Sequence, residues 1–350
     1  MKEVNKMQIE KICIVDTKQT NPYFNLALEE YLLNNISSEC YILYLWQNDN
    51  TIVIGQNQNI FAQCNVELSE KENVNIVRRL SGGGAVFHDL GNLNYTFFAK
   101  APAFSKKLNM EIIKNTLKSF DIAVEESGRN DILIHGRKIS GNAYYNIGER
   151  CYHHGTLLIN CNLEKMDRLL YVDTAKWKDR GIDSVRSRVT NLQDIYPFIS
   201  VESVKKAMER SFVNRFQESE LTVINTISQI VSPKDTSVFA ELVNKYASKE
   251  WVRGRSIRAD YKVSRRFTWG IITLLMELDG DKICDIAVNS DALETDIILK
   301  IKDVLVGKDF NLKSIVFNLE KAKEELQAER EKEILKDIIG LFVKSQADKE

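Results

Sequence analysis

The residues best placed to do chemistry lie between Arg78 and Phe98, in RRLSGGGAVFHDLGNLNYTFF. Two arginines, Ser81 and three successive glycines are followed there by His88 and Asp89. Successive glycines let peptide units approach a ligand without Cβ obstruction and accept positive φ. Such a loop can present backbone N–H groups to an anion while Arg78 or Arg79 supplies charge; it can equally be a tight turn. No Gly-Lys-Ser/Thr follows, which excludes a P-loop. The glycines are contiguous and lead into a strand pattern, which excludes the dinucleotide fingerprint.

A second element, GRNDILIHGRKISGNAYYNIGERCYHHGTLLIN, starts at Gly128. Lys138 falls on an expected strand between Gly136 and Gly141, where its ammonium can reach a phosphate or carboxylate; a surface lysine is the alternative. Asn130-Asp131 can read a hydroxyl or base edge, or form a turn. Arg150 can pair a carboxylate, or sit at the surface. Two glycine-bearing cationic elements point to one anionic ligand.

The elements that must position these residues follow from periodicity. Residues 9–16 read as a strand, and Asn21-Pro22 precedes a helix with Glu29 and Glu30 toward solvent. Tyr41–Gln47 and Thr51–Gly55 read as a hairpin around Asn48-Asp49-Asn50. Leu93, Tyr95 and Phe97 alternate with Asn94 and Thr96, as in a half-buried strand. Helices are expected over 106–120 and 200–217, and strands over 131–134, 137–147 and 151–160. Ser232–Thr236 breaks the pattern. Beyond Trp251, Arg266–Leu278 and Lys282–Asn289 read as strands paired around Asp279-Gly280-Asp281. Thr295–Val306 reads as a helix and Leu319–Lys344 as one long charged helix.

With 350 residues the chain can hold two ordinary domains. Its 48 Lys+Arg against 49 Asp+Glu leave a charge of −1, which implies no polyelectrolyte partner such as nucleic acid. Six scattered cysteines, no CxxC pair, no secretory leader and no long apolar run lead to the expectation of a cytoplasmic protein with reduced thiols and no membrane segment.

Taken together, RRLSGGGAVFHDLGNLNYTF (Arg78 to Phe97), GRND (Gly128 to Asp131), GRKISGNA (Gly136 to Ala143), ERCYHHGTLL (Glu149 to Leu158) and DRGIDSVRSRVTNL (Asp179 to Leu192) resemble the lipoate–protein ligase family. NP with FNLALEEYLL and TIVIGQNQN (Thr51 to Asn59) add to the likeness, as does RRFTWG (Arg265 to Gly270) further on. The resemblance implies an α+β fold: a mixed/antiparallel-sheet, biotin/lipoate-ligase-like catalytic domain over 1–245 and a small α+β accessory domain over 246–350. It implies an ATP-dependent ligase, with Mg2+, that makes lipoyl-AMP and passes the lipoyl group to a lysine of lipoyl domains, namely E2 subunits of 2-oxoacid dehydrogenases and the glycine-cleavage H protein. ATP and Mg2+ are then co-substrates without a tightly bound prosthetic group, and a monomer is expected.

Residue by residue, Lys138 matches the essential lysine, which bridges the acyl carbonyl and the α-phosphate. Arg79, Ser81, Gly82, Gly83 and Gly84 match the loop that wraps the acyl group and phosphate, with Ala85, Val86 and His88 as its continuation. Asn130 and Asp131 would lie near nucleotide or metal, Asp131 as the Mg2+ contact, and Arg150 near the acyl carboxylate. His154, Gly155 and Thr156 would border the adenosine; Trp46 and Gly55 would line an apolar slot. The chain departs from the pattern at Gly254-Arg255-Ser256-Ile257, where no proline follows. Arg253, Arg255, Arg258, Lys262, Arg265 and Arg266 form a basic run there, which is either a solvated strand edge or a docking surface for acidic lipoyl domains. Rival readings are a transferase working through preformed acyl-AMP or a cysteine thioester, with Cys151 its candidate thiol, a biotin–protein ligase, and a non-catalytic carrier-binding protein.

Overall fold

The structure is a computed structural model and describes residues 9–128, 130–170, 188–254 and 259–347. β1 (Lys11–Val15), α1 (Pro22–Asn35), β2 (Cys40–Trp46), β3 (Thr51–Ile54), α2 (Ile60–Gln63) and α3 (Val66–Lys71) open the chain. β4 (Asn75–Arg78), β5 (Val86–His88), β6 (Asn92–Lys100), α4 (Lys106–Lys118), β7 (Glu125–Ser127), β8 (Asp131–Ile134), β9 (Arg137–Ile147) and β10 (Arg150–Leu158) follow. Then come α5 (Leu163–Leu169), α6 (Leu192–Ile195), α7 (Val201–Arg215), β11 (Glu220–Ile224), α8 (Thr236–Ala247) and α9 (Lys249–Arg253). The last elements are β12 (Tyr261–Phe267), β13 (Gly270–Asp279), β14 (Lys282–Ser290), α10 (Thr295–Leu305), α11 (Leu312–Glu324) and α12 (Glu329–Ala347). None of the helices among the described residues is long and apolar enough to cross a membrane.

Two compact units divide the chain. One takes the chain up to Val53, Gln63–Arg78 and Ala85–Val252; the other takes Ile54–Ala62, Arg79–Gly84 and everything from Arg253 on.

In the first unit eight strands form one mixed sheet, ordered β11-β1-β2-β6-β10-β9-β8-β7, with β1 parallel to both β2 and β11 and the remaining pairs antiparallel. Leu93, Tyr95 and Phe97 of β6 join Leu43 and Leu45 of β2 in a core closed by Ile112 and Leu117 of α4 and by Val204, Met208 and Phe212 of α7. The alternate residues Asn92, Asn94 and Thr96 are buried too, so β6 is covered on both faces rather than half-exposed.

α1 starts where the sequence requires it: the Asn21 side chain accepts from Tyr23 and Phe24 N–H, and Pro22 sits where no helical N–H is missed. Its two glutamates do not face solvent as expected. α8 packs on α1, with Phe239 edge-on to Phe24 and Tyr31, and Glu30 accepts from Lys245 and from the Tyr246 hydroxyl at 2.7 Å. Glu29 is only 2% exposed and points to the sheet. The expected β2–β3 hairpin is also absent. β3 pairs with β5 and lies in a separate sheet ordered β4-β3-β5, because Asp49 N–H bonds to Thr20 O and Asn75 N–H to Asn50 O, which redirects the intervening loop.

In the second unit β12-β13-β14 pack on α10, α11 and α12 around Trp269, Ile272, Leu274, Met276 and Ile338. The expected single strand over Arg266–Leu278 is broken at Trp269, whose buried indole N–H donates to Asp337 at 2.9 Å, and at Gly270, with φ of 150°. The expected long helix is two, α11 and α12, with Leu326 between them packed against the core.

Candidate active site

A bulge aims the central lysine. In the β8–β9 ladder Ile132 faces Ser140 and Leu133 faces Lys138, so Ile139 is an extra residue on β9, a device that re-aims neighbouring side chains. The backbone of Lys138 is tied on its other side as well, its N–H donating to Arg188 O at 2.8 Å and its carbonyl accepting from Thr190 N–H at 3.0 Å. The ammonium then lies 2.7 Å from an Asp131 oxygen, with both side chains about a third exposed. Its stem crosses Gly141, where a Cβ would stand 2.9 Å from Nζ and 3.1 Å from Cε. A Cβ at 141 would displace the end of the lysine that lies over it.

A polar row leads away from this point. Gly141 N–H donates to Thr156 Oγ1 at 3.2 Å, Thr156 pairs with Asn94, and Asn94 with Trp46. One step along the strands, Trp46 Nε1 donates to Thr96 Oγ1 (3.0 Å), Thr96 Oγ1 donates to Glu29 (2.7 Å), and His154 Nδ1 lies 2.9 Å from the same Glu29 oxygen. Glu29 thus orients His154 through one ring nitrogen. Trp46 is buried, stacked on Tyr44 and edge-on to His88; His88 Nδ1 accepts from Asn48 at 3.3 Å.

Arg150 is not brought to this cluster. It pairs with Ile147, nine positions along β9 from Lys138, or roughly 30 Å of strand. Its guanidinium donates to Asn34 at the end of α1 instead. The side chain of Asn130 is committed to Asn142 O at 2.9 Å. Cys151 is half-buried, donates to Glu149 O, and has its thiol pKa raised by burial, against the lowering effect of Lys106; a thiol so shifted is a poor nucleophile. Sequence reasoning missed Glu29, which reads as one more charged helix residue. It also passed over Arg188 as an individual site residue: burial lowers its pKa, while the charges of Asp131 and Asp167 oppose that shift. The remainder of the 179–192 motif up to position 187, Arg129, and Arg255 with Arg258 of the basic run lie outside the described residues.

The glycine loop belongs to the second unit and is built differently. Arg79 Nε donates to Ser81 Oγ (3.0 Å), and its Nη2 to Gly82 O (2.6 Å) and Gly84 O (2.8 Å), so the guanidinium fastens the loop's own carbonyls. Gly83, with φ of 89°, donates its N–H to Ala292 O at 3.2 Å. A Cβ on Gly82 would stand 2.0 Å from that same carbonyl oxygen. Gln56 N–H bonds to Ser81 O, Ser290 N–H to Asn57 O, and Gly55 N–H to Gln58. Gly84 is exposed, with Ala85 and Val86 leading into β5 in the first unit.

Fold and site define a class: a large mixed sheet with helices packed on it and a small α+β unit, the architecture of lipoate ligases, here with a carboxylate-held lysine on a bulged strand. A profile of the lipoyl protein ligase A/B catalytic domain matches residues 21–213, and one of the bacterial lipoate protein ligase C-terminus matches residues 256–340. The lipoate-protein ligase A of Psychrobacter cryohalolentis is 34% identical over 328 residues, covering 91% of this chain and 96% of that protein. The crystal structure of P. falciparum LipL1 in complex with lipoate is similar at a TM-score of 0.82 and 29% identity, over 94% of this chain and 98% of that one. A lipoate-protein ligase A structure bound with ATP shares the fold at a TM-score of 0.60 and 23% identity, over 70% of this chain and 99% of that one. The chain belongs to the lipoyl protein ligase A/B family.

Proposed function

We propose that this chain activates lipoate with ATP and transfers the lipoyl group to a lysine of a lipoyl domain. A lipoate carboxylate oxygen attacks the α-phosphorus of ATP and pyrophosphate leaves. The acceptor amine then attacks the acyl carbonyl, and AMP leaves with the new amide formed. The observation that carries this reading is the Lys138 ammonium, 2.7 Å from Asp131 and lying over Gly141. Two anions must meet in the first step, and a positioned cation stabilises the charge that builds as they do. Incoming carboxylate and phosphate oxygens draw Lys138 from Asp131, and the acyl-phosphate junction takes its place as partner.

His154, oriented by Glu29, and Thr156 border the adenosine side in this reading, and Ser81–Gly84 belongs to the segment that wraps the acyl group. Arg150 is left out, because its guanidinium is held at Asn34. Mg2+ characteristically binds through substrate phosphates and one or two carboxylates. Asp131 is a single carboxylate, and among the described residues no group of three His, Cys, Asp or Glu could hold a metal, so the donor set fits a cation that arrives on ATP. The acceptors are E2 lipoyl domains and the H protein, and the protein works as a cytoplasmic monomer; its free cysteines accord with a reducing compartment.

The test is pyrophosphate release that depends on lipoate and needs no acceptor protein. Its absence, with transfer from synthetic lipoyl-AMP intact, would replace the ligase with a transferase. Full activity of Cys151→Ala is expected, and its loss would revive the thioester route.

A further inference from the structure

On the core side of the sheet, several groups converge on one side-chain amide. Tyr95 donates its hydroxyl to Asn142 Oδ1 at 2.5 Å, and His153 Nε2 lies 2.8 Å from the same oxygen. Asn142 Nδ2 donates to Asn130 O at 3.1 Å, Asn142 N–H to that same carbonyl at 2.8 Å, and Asn130 Nδ2 returns a bond to Asn142 O at 2.9 Å. Tyr95 and His153 are 0% exposed and Asn142 3%. The Asn130 carbonyl fixes the amide orientation, since a reversed amide would set two acceptor oxygens against each other. With Oδ1 toward the imidazole, the ring proton sits on Nε2. Burial, with smaller contributions from His154 and Lys106, holds the His153 pKa well below 6.5, so the ring is neutral and stacks on Tyr144 at 4.4 Å.

The polar atoms here are not required by packing. Phenylalanine would fill the space of Tyr95, and yet the neighbouring strand is stripped to admit its hydroxyl: a Cβ on Gly155 would stand 2.3 Å from Tyr95 Oη and 2.7 Å from Asn142 Oδ1. What the cluster does secure is Asn130. That residue precedes Asp131, which faces Gly141 in the ladder and holds the Lys138 ammonium.

We infer that Tyr95, Asn142 and His153 are positioning residues, clamping Asn130 so that the Asp131 carboxylate presents Lys138 to the reacting anions. The inference rests on the reading of Lys138 given above, and it is tested with one readout that does not depend on that reading. Tyr95→Phe removes a single hydroxyl. In this variant lipoate-dependent pyrophosphate release falls about tenfold in kcat with KM for lipoate nearly unchanged, the size expected for a slightly misplaced catalytic group. Independently of activity, a less firmly held Lys138 reacts faster with an amine-acylating reagent, about threefold relative to exposed Lys262 by peptide mass spectrometry. His153→Gln keeps an N–H donor and stays near wild type in both readouts, whereas His153→Leu behaves like Tyr95→Phe. Should Tyr95→Phe fail to fold, the two His153 variants carry the same comparison. Unchanged kcat and unchanged Lys138 labelling in Tyr95→Phe and His153→Leu, with only the melting temperature lowered, would reduce the cluster to a structural one and overturn the inference. Wild-type protein that releases no pyrophosphate defeats the proposed function alone, since Lys138 labelling still decides the positioning role.

Discussion

Lys138 and Arg79 carry the same kind of sequence signature, a cation among glycines, and the structure gives the two signatures different physical causes. Around Lys138 the glycine at 141 makes room for the lysine's own flexible stem, and among the described residues the ammonium has one carboxylate partner. Around Arg79 the glycine at 82 makes room for the backbone of Ala292, and the guanidinium is engaged by Ser81, Gly82 and Gly84 of its own loop. The first arrangement leaves a charge that a ligand can draw away at the loss of one ion pair. The second uses its charge to hold a loop in shape. A motif of cations and glycines therefore identifies neither role until the atoms opposite each glycine are known.

The largest effect that separates the two is expected from Lys138→Ala. Adenylation should fall by about two orders of magnitude, the scale of losing one transition-state charge donor. The fold should survive, because the bonds that tie residue 138 into β9 and to residues 188–190 are backbone bonds. Near-wild-type pyrophosphate release would remove Lys138 from the chemistry.

Gly82→Ala comes next and should act on stability. The obstructing atom is a backbone oxygen at 2.0 Å, so something must shift, and overpacking of this kind costs about 1–3 kcal/mol. Hydrogen exchange should show the loss at Gly83 and Ser290, whose amides bond to Ala292 and Asn57. Unchanged protection at both amides would mean that the loop yields freely and that Gly82 is not needed for the approach of Ala292. Gly141→Ala is the counterpart with the smaller cost, since only the end of a flexible side chain stands in the way. It should leave the melting temperature nearly unchanged while lowering kcat about tenfold, as the displaced ammonium leaves its aimed position. A stability loss matching that of Gly82→Ala, with kcat intact, would erase the distinction.

Much of this was legible in the residues. The strands over 131–134 and 137–147 and the helices over 106–120 and 200–217 lie close to where periodicity puts them; the two helices and the shorter strand each bury an apolar stripe, while the longer strand buries Ser140 and Asn142 beside Ile139 and Ala143. Periodicity failed where a polar residue is buried against a distant partner. Glu29 reads as solvent-facing until Thr96 and His154 are placed beside it, and Asn94 and Thr96 read as the wet face of a strand that has none. The break between α11 and α12 carries neither glycine nor proline; Leu326 within it packs, partly buried, against the core, a tertiary contact with no local signal. The glycine loop was visible as a motif, but its dependence on Ala292 joins residues far apart in the chain, which no local pattern encodes.

The smallest effect is a difference in acid sensitivity, and it too divides the regions. His153, on the strand next to that of Lys138, is held neutral by burial with its pKa well below 6.5, whereas the glycine loop is fastened by hydrogen bonds from Arg79 to Ser81, Gly82 and Gly84. In the unfolded chain His153 takes up a proton near its ordinary pKa; in the folded protein it does so only at much lower pH. The unfolded state therefore binds more protons below about pH 6.5, and the contribution of the neutral ring, complete above that pH, declines as the pH falls, by at most about 1.4 kcal/mol per unit. Urea midpoints of wild type and His153→Gln measured from pH 8 to 5 should run parallel above pH 7 and converge or cross below it, with the wild type losing more. The amide of Gly83, in a loop fastened by arginine, should keep its exchange protection relative to its own unit across the same range. If the two denaturation curves stay parallel down to pH 5, His153 is not kept neutral, and its protonation costs the folded protein nothing.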